Sequence, residues 1–502
     1  MESKRVAVSI LLRTRRDATE ALLVERNPRL KFFGGYLAFP GGTLEEQDRE
    51  VPVRGERLGR LGEDFPLFVA AAARELFEET GLWLARGGPA PDEETLTRER
   101  RRMLAGDVTF SELLETHRHY VDAADFSPLC RITTPPFAPI RYDTWFVDCT
   151  IPLGGRVDIW DGELLGGGLT GTSTALESWR QGHSLIAPPV LILLAALERG
   201  ADGFAERVSR LTASYARGKL HRVYFTPGVL LAPLATPTRP PATHTNTYIL
   251  GERKLYVIDP SPVDETEQEK LWELLDELLR EGRTLEGILL THYHPDHVGA
   301  LIPCSKRYPL PVLAHHETLA RLPALARVHP LEHGTVLDLG SAPDGSSSWR
   351  LHVLHVPGHA PGHLAFKESR YGALLVGDLI STLSSILIDP RDGHLGTYLR
   401  SLRLLESLAT GMVYPGHGPP AREGRKAIRA QLRHRQQREE QLLSALSYEP
   451  QPAGDLALKV YTDVDASMLE LAQRSLLSGL VKLEEEGRVS QTAAGYRLIR
   501  TK

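Results

Sequence analysis

Up to about residue 205, short apolar runs with strand character are interspersed with helical patterns. The first run, in MESKRVAVSILLRTRRD, is about seven residues long and is followed by basic RTRR rather than by a small-residue cleavage site. It therefore predicts a strand and not a signal peptide. PDEETLTRERRRML (91–104) is dominated by charge and predicts a solvated helix. The pattern breaks at TPGVLLAPLATPTRPPATHT (226–245), where five prolines exclude a helix and predict an extended connector or edge segment. Beyond it, short apolar strands alternate with amphipathic helices such as EQEKLWELLDELLREG (267–282), an α/β signature. From about residue 421 the character changes again. AREGRKAIRAQLRHRQQREE predicts a basic helix, and LELAQRSLLSGLVKLEEEG followed by RVSQTAAGYRLI predicts a helix and a two-stranded turn.

A length of 502 residues suggests about three domains. With 42% hydrophobic and 25% charged residues, each can bury its own core. A net charge of −5 exerts no global pull toward nucleic acid or anionic membrane. Cys130, Cys149 and Cys304 are far apart and form no C-x-x-C pair, which argues against a disulfide framework and thiolate metal sites. The longest apolar run, IAPPVLILLAAL (186–197), is too short to span a bilayer. A soluble, cytoplasmic protein without a membrane partner is expected; the oligomeric state is left open.

Candidate chemistry concentrates in two places. In EGILLTHYHPDHVGALIP, Ile288–Leu290 predicts a buried strand, His292 to Pro295 a loop, and Asp296 and His297 the opening of a helix. Alone, this cluster is either a metal cradle or a histidine-rich polar turn. Three further strands alter the balance. LHVLHVPGHAPGH (351–363) ends in a turn offering His359, GALLVGD (372–378) offers Asp378, and MVYPGHGP (412–419) offers His417. Imidazole and carboxylate suit zinc and its first-row neighbours, and seven ligands suit two ions sharing a carboxylate. His363 follows His359 by four residues and is read as a substrate-orienting or surface turn residue. His352 and His355 are read as packing or surface residues, and His315 and His316 as structural.

The order H-x-H-x-D-H, PGH turn, lone Asp, final His resembles the metallo-β-lactamase fold. That resemblance implies one metal held by His292, His294 and His359, a second by Asp296, His297 and His417, and Asp378 bridging them. It implies two zinc ions, a water made acidic enough to attack near neutral pH, and Asp296 helping to hold or deprotonate it.

The second place is AAAARELFEETGL (70–82), an alanine-rich helix with Glu75, Glu78 and Glu79 sharing one face. Arg74 and Glu78 pair favourably, whereas Glu75 and Glu79 repel unless a cation lies between them. R-E-L-F-E-E-T-G-L resembles the core of the Nudix box, with FPGG (39–42) upstream and Asp48 where an acid is expected; the usual gap before the arginine is lengthened to residues 49–73. LLVERNPRLKFFGGYLAFPGG (22–42) is similar to the coenzyme A-specific Nudix signature, although Val24, Asn27 and Lys31 depart from it. The resemblance implies Mg²⁺ or Mn²⁺ held by Glu75, Glu78 and Glu79, with Glu75 and Glu79 also catalytic, attack of water on a pyrophosphate, and substrate contacts from Arg26 and Lys31. RYDTWFVD (141–148) resembles a later strand of these enzymes, and Glu163 falls where some carry a further acid.

The C-terminal segment resembles the small winged helix that follows the metallo-β-lactamase domain in the endoribonuclease-like branch. Its basic helix carries seven Lys/Arg against three Glu over 421–440, which would suit a nucleic acid backbone, but Glu484–Glu486 favour simple packing with the charges in water. The expected architecture is a multidomain α/β chain. It comprises a Nudix α/β/α sandwich over 1–205, a connector over 206–245 leading into the first strand, a metallo-β-lactamase αββα sandwich over 220–425, and a winged helix over 426–502. The expected function is a bifunctional metal-dependent hydrolase: a pyrophosphohydrolase for coenzyme A or a nucleotide diphosphate derivative, and a hydrolase for acyl-CoA-type thioesters or for RNA. The alternative is a non-catalytic Nudix binding module attached to a zinc-dependent endoribonuclease.

Overall fold

A computed structural model describes residues 4–55, 64–152, 154–462 and 468–500. The chain divides into two compact units, Met1–Pro227 and Gly228–Lys502.

In the first unit, the strand Arg5–Arg13 pairs in parallel with Tyr142–Thr150, which pairs antiparallel with Phe126–Thr133. Alternate residues of a strand face opposite sides. Accordingly Val8, Ile10 and Leu12 enter one core, with Val69, Ala73 and Leu76 of the helix Phe65–Thr80. Leu11 enters another, with Leu191, Leu194 and Val208 from the helices Pro188–Glu198 and Phe204–Ala216. Sheet between helical layers is the α/β/α arrangement. The apolar run of 186–197 is thus a core helix, begun by prolines at its first positions, where the missing N–H costs nothing.

The helix Phe65–Thr80 follows from its alanines, the best helix formers, and ends where Gly81 turns left-handed (φ 70°) and donates to Phe77 O at 3.0 Å. The helix Glu93–Leu104 differs from its expected solvated state. It buries Glu99, Arg100 and Met103, and Arg100 donates to Glu78 O at 3.0 and 2.8 Å and to Asp158 O at 2.7 Å. The reason is that the last carbonyls of the glutamate-bearing helix need donors, and a guanidinium supplies several at once.

Within the second unit, one sheet runs Val229–Ala235, His244–Gly251, Lys254–Ile258, Thr284–Leu289, Val312–Ala314, Val328–Pro330, antiparallel at its first two junctions and parallel afterwards. The other runs Val336–Gly340, Trp349–His355, Leu364–Glu368, Leu374–Ser381, Val413–His417. The helix Glu265–Arg280 buries Leu271, Leu274, Leu275 and Leu278 at helical spacing. The helices Leu395–Leu408 and Gly424–Ala445 contribute Leu402, Leu405 and Ile428 to the core under the second sheet. Within the proline-rich 226–245, Val229–Ala235 is a buried strand, whereas Pro237, Pro240 and Pro241 lie in the loop that follows it.

The tail has its own core, formed by Leu442, Leu456, Leu476, Leu480, Leu483 and Val489. It comprises the helices Ala453–Val460 and Leu469–Glu485 and the hairpin Val489–Thr492 with Gly495–Leu498. No helix among the described residues is long and apolar enough to cross a membrane.

Candidate metal centre

Seven side chains from separate strand ends converge in the second unit. Thr284–Leu289 leads into His292 and His294, and the short helix Pro295–Val298 carries Asp296 and His297. His359 follows Trp349–His355, Asp378 lies inside Leu374–Ser381, and His417 ends Val413–His417. His294 Nδ1 lies 3.0 Å from His292 Nε2 and 2.9 Å from His359 Nε2, so three ring nitrogens face one point. Asp296, His297 and His417 form a second cluster, with His417 Nε2 3.5 Å from Asp296 Oδ2. Asp378 faces both: Oδ2 is 3.6 Å from His359 Nε2, and Oδ1 is 3.2 Å from His297 Nε2 and 3.4 Å from His417 Nε2. Gly416 makes room for it, since a Cβ there would lie 2.4 Å from Asp378 Oδ1.

The outward nitrogen of every one of these five histidines meets an oxygen. His292 Nδ1 meets Thr291 Oγ1 (2.9 Å), His294 Nε2 meets Asp392 (2.7 Å), and His297 Nδ1 meets Asp259 (2.9 Å). His359 Nδ1 meets Leu387 O (3.1 Å), and His417 Nδ1 meets His244 O (2.9 Å). Because Thr291 Oγ1 donates to Asp259 at 2.6 Å, it is left to accept from His292. An imidazole that donates outward holds its lone pair inward, the tautomer a metal requires. His297 Nε2 and Asp378 Oδ1 are buried without a hydrogen-bond partner, an arrangement that a cation would satisfy. The donor set therefore fits divalent metal.

Without a cation the cluster is electrostatically tense. Burial, with the neighbouring histidines, holds His292 well below its ordinary pKa and His359 at about 4. Burial also opposes charge on His297, but Asp378 and Asp259 outweigh it and raise that ring's pKa well above normal. Asp378 is held well below the carboxylate range against its own burial by His417 and His297.

His363 is not a surface residue. It is fully buried, stacks on His292 with ring centroids 4.8 Å apart, and accepts from Asp378 N at 3.2 Å. No sequence motif marks Asp259 or Asp392. Their only sequence signal is an aspartate after an apolar strand, in VIDP, and one in a polar loop, in PRDG.

In the first unit, Glu75 and Glu79 are buried and Glu78 is half-buried. Gly41 N donates to Glu79 at 2.8 Å, and a Cβ on Gly42 would lie 2.3 Å from Glu75 Oε1, so the FPGG turn is seated directly on the carboxylates. Arg74 pairs with buried Asp48 at 2.6 Å, and it also binds Glu75 at 3.0 Å and Glu78 at 3.2 Å. Among the described residues the three glutamates do not form one tight oxygen cluster. Burial raises all three pKa values, Glu79 to about 7, with Arg26 acting the other way on Glu79. Arg26 has a buried Nε without a partner, beside the Glu79 and Glu163 charges. Lys31 lies in an exposed turn and joins no such group.

Residues 3–121 match the NUDIX domain, 240–417 the Metallo-beta-lactamase superfamily, and 453–497 the Beta-lactamase associated winged helix domain. This chain is a metal-dependent hydrolase with those three domains in that order. Its metallo-beta-lactamase half is 28% identical over 264 residues to Beta-lactamase-like protein 2 homolog of Drosophila melanogaster, covering 50% of this chain and 86% of that one. It is 26% identical over 260 residues to an atrochrysone carboxyl ACP thioesterase of Aspergillus aculeatus, covering 49% and 77%. Among solved structures, a metallo-beta-lactamase family protein of Thermus thermophilus matches with a TM-score of 0.44 and 28% identity, over 55% of this chain and 99% of that one.

Among the described residues, the segment 386–394 touches both the metal ligands and the C-terminal helices of this hydrolase. Leu387 O and Asp392 hold His359 and His294. Ile386 O accepts from Arg435, Asp389 pairs with Arg474 at 3.5 Å, and His394 Nε2 lies 2.8 Å from Glu485.

Proposed function

We propose that the second unit is a dinuclear zinc hydrolase acting on thioesters, and that the first is a Mg²⁺- or Mn²⁺-dependent pyrophosphohydrolase acting on coenzyme A or a nucleotide diphosphate derivative. The observation that carries the first part is the set of five histidines, each tied outward to an oxygen, with the two oxygens of Asp378 turned toward separate clusters. His292, His294 and His359 would hold one ion, Asp296, His297 and His417 the other, and Asp378 both. Such a pair supplies Lewis acidity to the substrate carbonyl and acidifies water. The chain's part is to orient. Asp296 Oδ2, beside His417, holds the attacking water and takes its proton. The water oxygen bonds to the acyl carbon, the C–S bond breaks, and the proton held by Asp296 passes to the departing sulfur, so that acid and thiol leave.

In the first unit, Glu75, Glu78 and Glu79 would hold the hard cation, Glu75 and Glu79 would act as base, and Arg26 and Lys31 would meet phosphate. Thioester substrates draw support from the carrier-protein thioesterases among the relatives. Three buried free thiols suit a reducing, cytoplasmic setting. A second reading of the first unit, as a module that binds without cleaving, is favoured by one observation: Arg74 engages Glu75 and Glu78.

Metal analysis with a substrate panel of coenzyme A, acyl-CoA and RNA, repeated on Asp296→Ala and Glu79→Gln, tests the whole reading. Each variant should silence one activity and spare the other. RNA cleavage without thioesterase activity removes the thioester assignment. Mg²⁺-dependent release of 3′,5′-ADP from coenzyme A, lost in Glu78→Gln, separates cleavage from mere binding.

A further inference from the structure

The cavity over the metal centre encloses about 440 Å³, within the roughly 300–1,000 Å³ that takes a small-molecule substrate rather than a folded polymer. His294, Asp296, His359, Asp378 and His417 line it, but so do residues from the far C-terminal part of the chain. Arg435 and Arg438 come from the helix Gly424–Ala445, Tyr461 follows the first tail helix, and Met468, Leu471 and Ala472 stand at the start of the second. Tyr461 is held against Arg438, whose guanidinium lies 4.9 Å from the ring and donates to Val460 O at 3.2 Å. With Ile386 and Leu387, the side chains of Tyr461, Met468, Leu471 and Ala472 make an apolar stretch of this lining, next to Arg435 and Arg438.

The opposite chemistry lies in an adjoining pocket of about 400 Å³, shared by His294, His359, Leu387, Arg239 and Arg391. Its acids are already engaged: Asp389 by Arg391 and Arg474, Asp392 by Tyr293 and His294. Arg239 lines both cavities, is exposed, and makes no hydrogen bond or ion pair among the described residues. An unpaired guanidinium at the mouth of a metal site is a ready partner for phosphate.

We propose that the winged helix is the substrate-selecting wall of the metal site. Tyr461, Met468 and Leu471 receive the acyl chain, and Arg239 receives a phosphate of the thiol carrier. The substrate is then an acyl thioester of a phosphorylated carrier, and the tail recognises acyl length rather than nucleic acid. The inference rests on the thioesterase reading and deepens it.

The test uses the full-length zinc-loaded protein and two ligand series. Kinetics compare octanoyl-CoA with acetyl-CoA and with S-octanoyl-N-acetylcysteamine, which lacks the phosphates. Calorimetry measures S-octyl-coenzyme A, a thioether that cannot be hydrolysed. Arg239→Ala should raise KM for octanoyl-CoA roughly tenfold or more and erase its advantage over the unphosphorylated thioester, since a charge-assisted contact is lost. Leu471→Trp should erase the preference for octanoyl over acetyl. Both should weaken S-octyl-coenzyme A binding. Absence of thioester turnover in the wild type overturns the thioesterase reading. Wild-type affinity for S-octyl-coenzyme A in both variants overturns the present proposal, whatever the turnover.

Discussion

Asp259 accepts from His297 Nδ1 at 2.9 Å while its other oxygen accepts from Thr291 N at 2.7 Å. One buried carboxylate thus fixes a ligand ring and the turn that begins the histidine motif. Asp259 itself stands at φ 49°, a left-handed conformation that aspartate tolerates better than most residues. Asp259→Asn should lower the affinity of the Asp296–His297–His417 site for zinc by about 10–100-fold, the usual effect of losing such a support. Competition with a chromophoric chelator would show this ion weakened most, with a smaller effect on the other, whose His292 leans on Asp259 through Thr291.

Asp392 is the corresponding support for the other cluster, 2.7 Å from His294 Nε2. Asp392→Asn should weaken the His292–His294–His359 ion by a similar 10–100-fold factor. If both aspartate variants had their largest effect on the same ion in the titration, the two-cluster assignment would fail.

Chelation should destabilise the second unit, because it leaves buried His297 Nε2 and Asp378 Oδ1 without partners and closely apposed imidazoles unscreened. A ligand at about 100 times its Kd stabilises the folded state by about 2.7 kcal/mol, so calorimetry with and without zinc should show a clear loss of Tm. Asp378→Ala should abolish most of that response.

Glu79 titrates at about 7 because burial opposes its charge. A folded pKa above the unfolded value of 4.5 means that the folded chain binds the extra proton. Stability contributed by the protonated group is full below pH 4.5 and declines as pH rises toward 7. The shift corresponds to about 3 kcal/mol. Metal-free protein should therefore lose stability across that window. Glu79→Gln should flatten the decline, and Mg²⁺ should restore the wild type above pH 7.

Arg100 ties the helix Glu93–Leu104 to Glu78 O and Asp158 O from a buried position, its guanidinium 4.1 Å from the ring centroid of Trp160. Arg100→Ala should cost about 1.5–3 kcal/mol, the range for a hydrogen bond to a charged group, and lower pyrophosphohydrolase activity by displacing Glu78. Chemical denaturation combined with kinetics would check both effects.

Much of this protein was determined by sequence alone. Ligands of a metal centre must be particular residue types at strand ends, so His292, His294, Asp296, His297, His359, Asp378 and His417 are visible as motifs. The Nudix helix is visible for the same reason, because its alanines set helix and sheet contact while its acids serve chemistry. The tertiary structure decided what any polar residue can do at a distance. Asp259, Asp392, His244 O and Leu387 O orient the ligands, yet nothing in their local sequence marks them, since a hydrogen-bond acceptor is common and only its placement is special. His363, which in sequence reads as a substrate-orienting or surface turn residue, is buried against the His292 ring and accepts from Asp378 N. The helices Glu93–Leu104 and Gly424–Ala445, both readable as charged helices, prove to be partly buried, because Arg100 and Arg435 satisfy the carbonyls of Glu78 and Ile386. Long-range packing decides such pairings, and no local pattern encodes them.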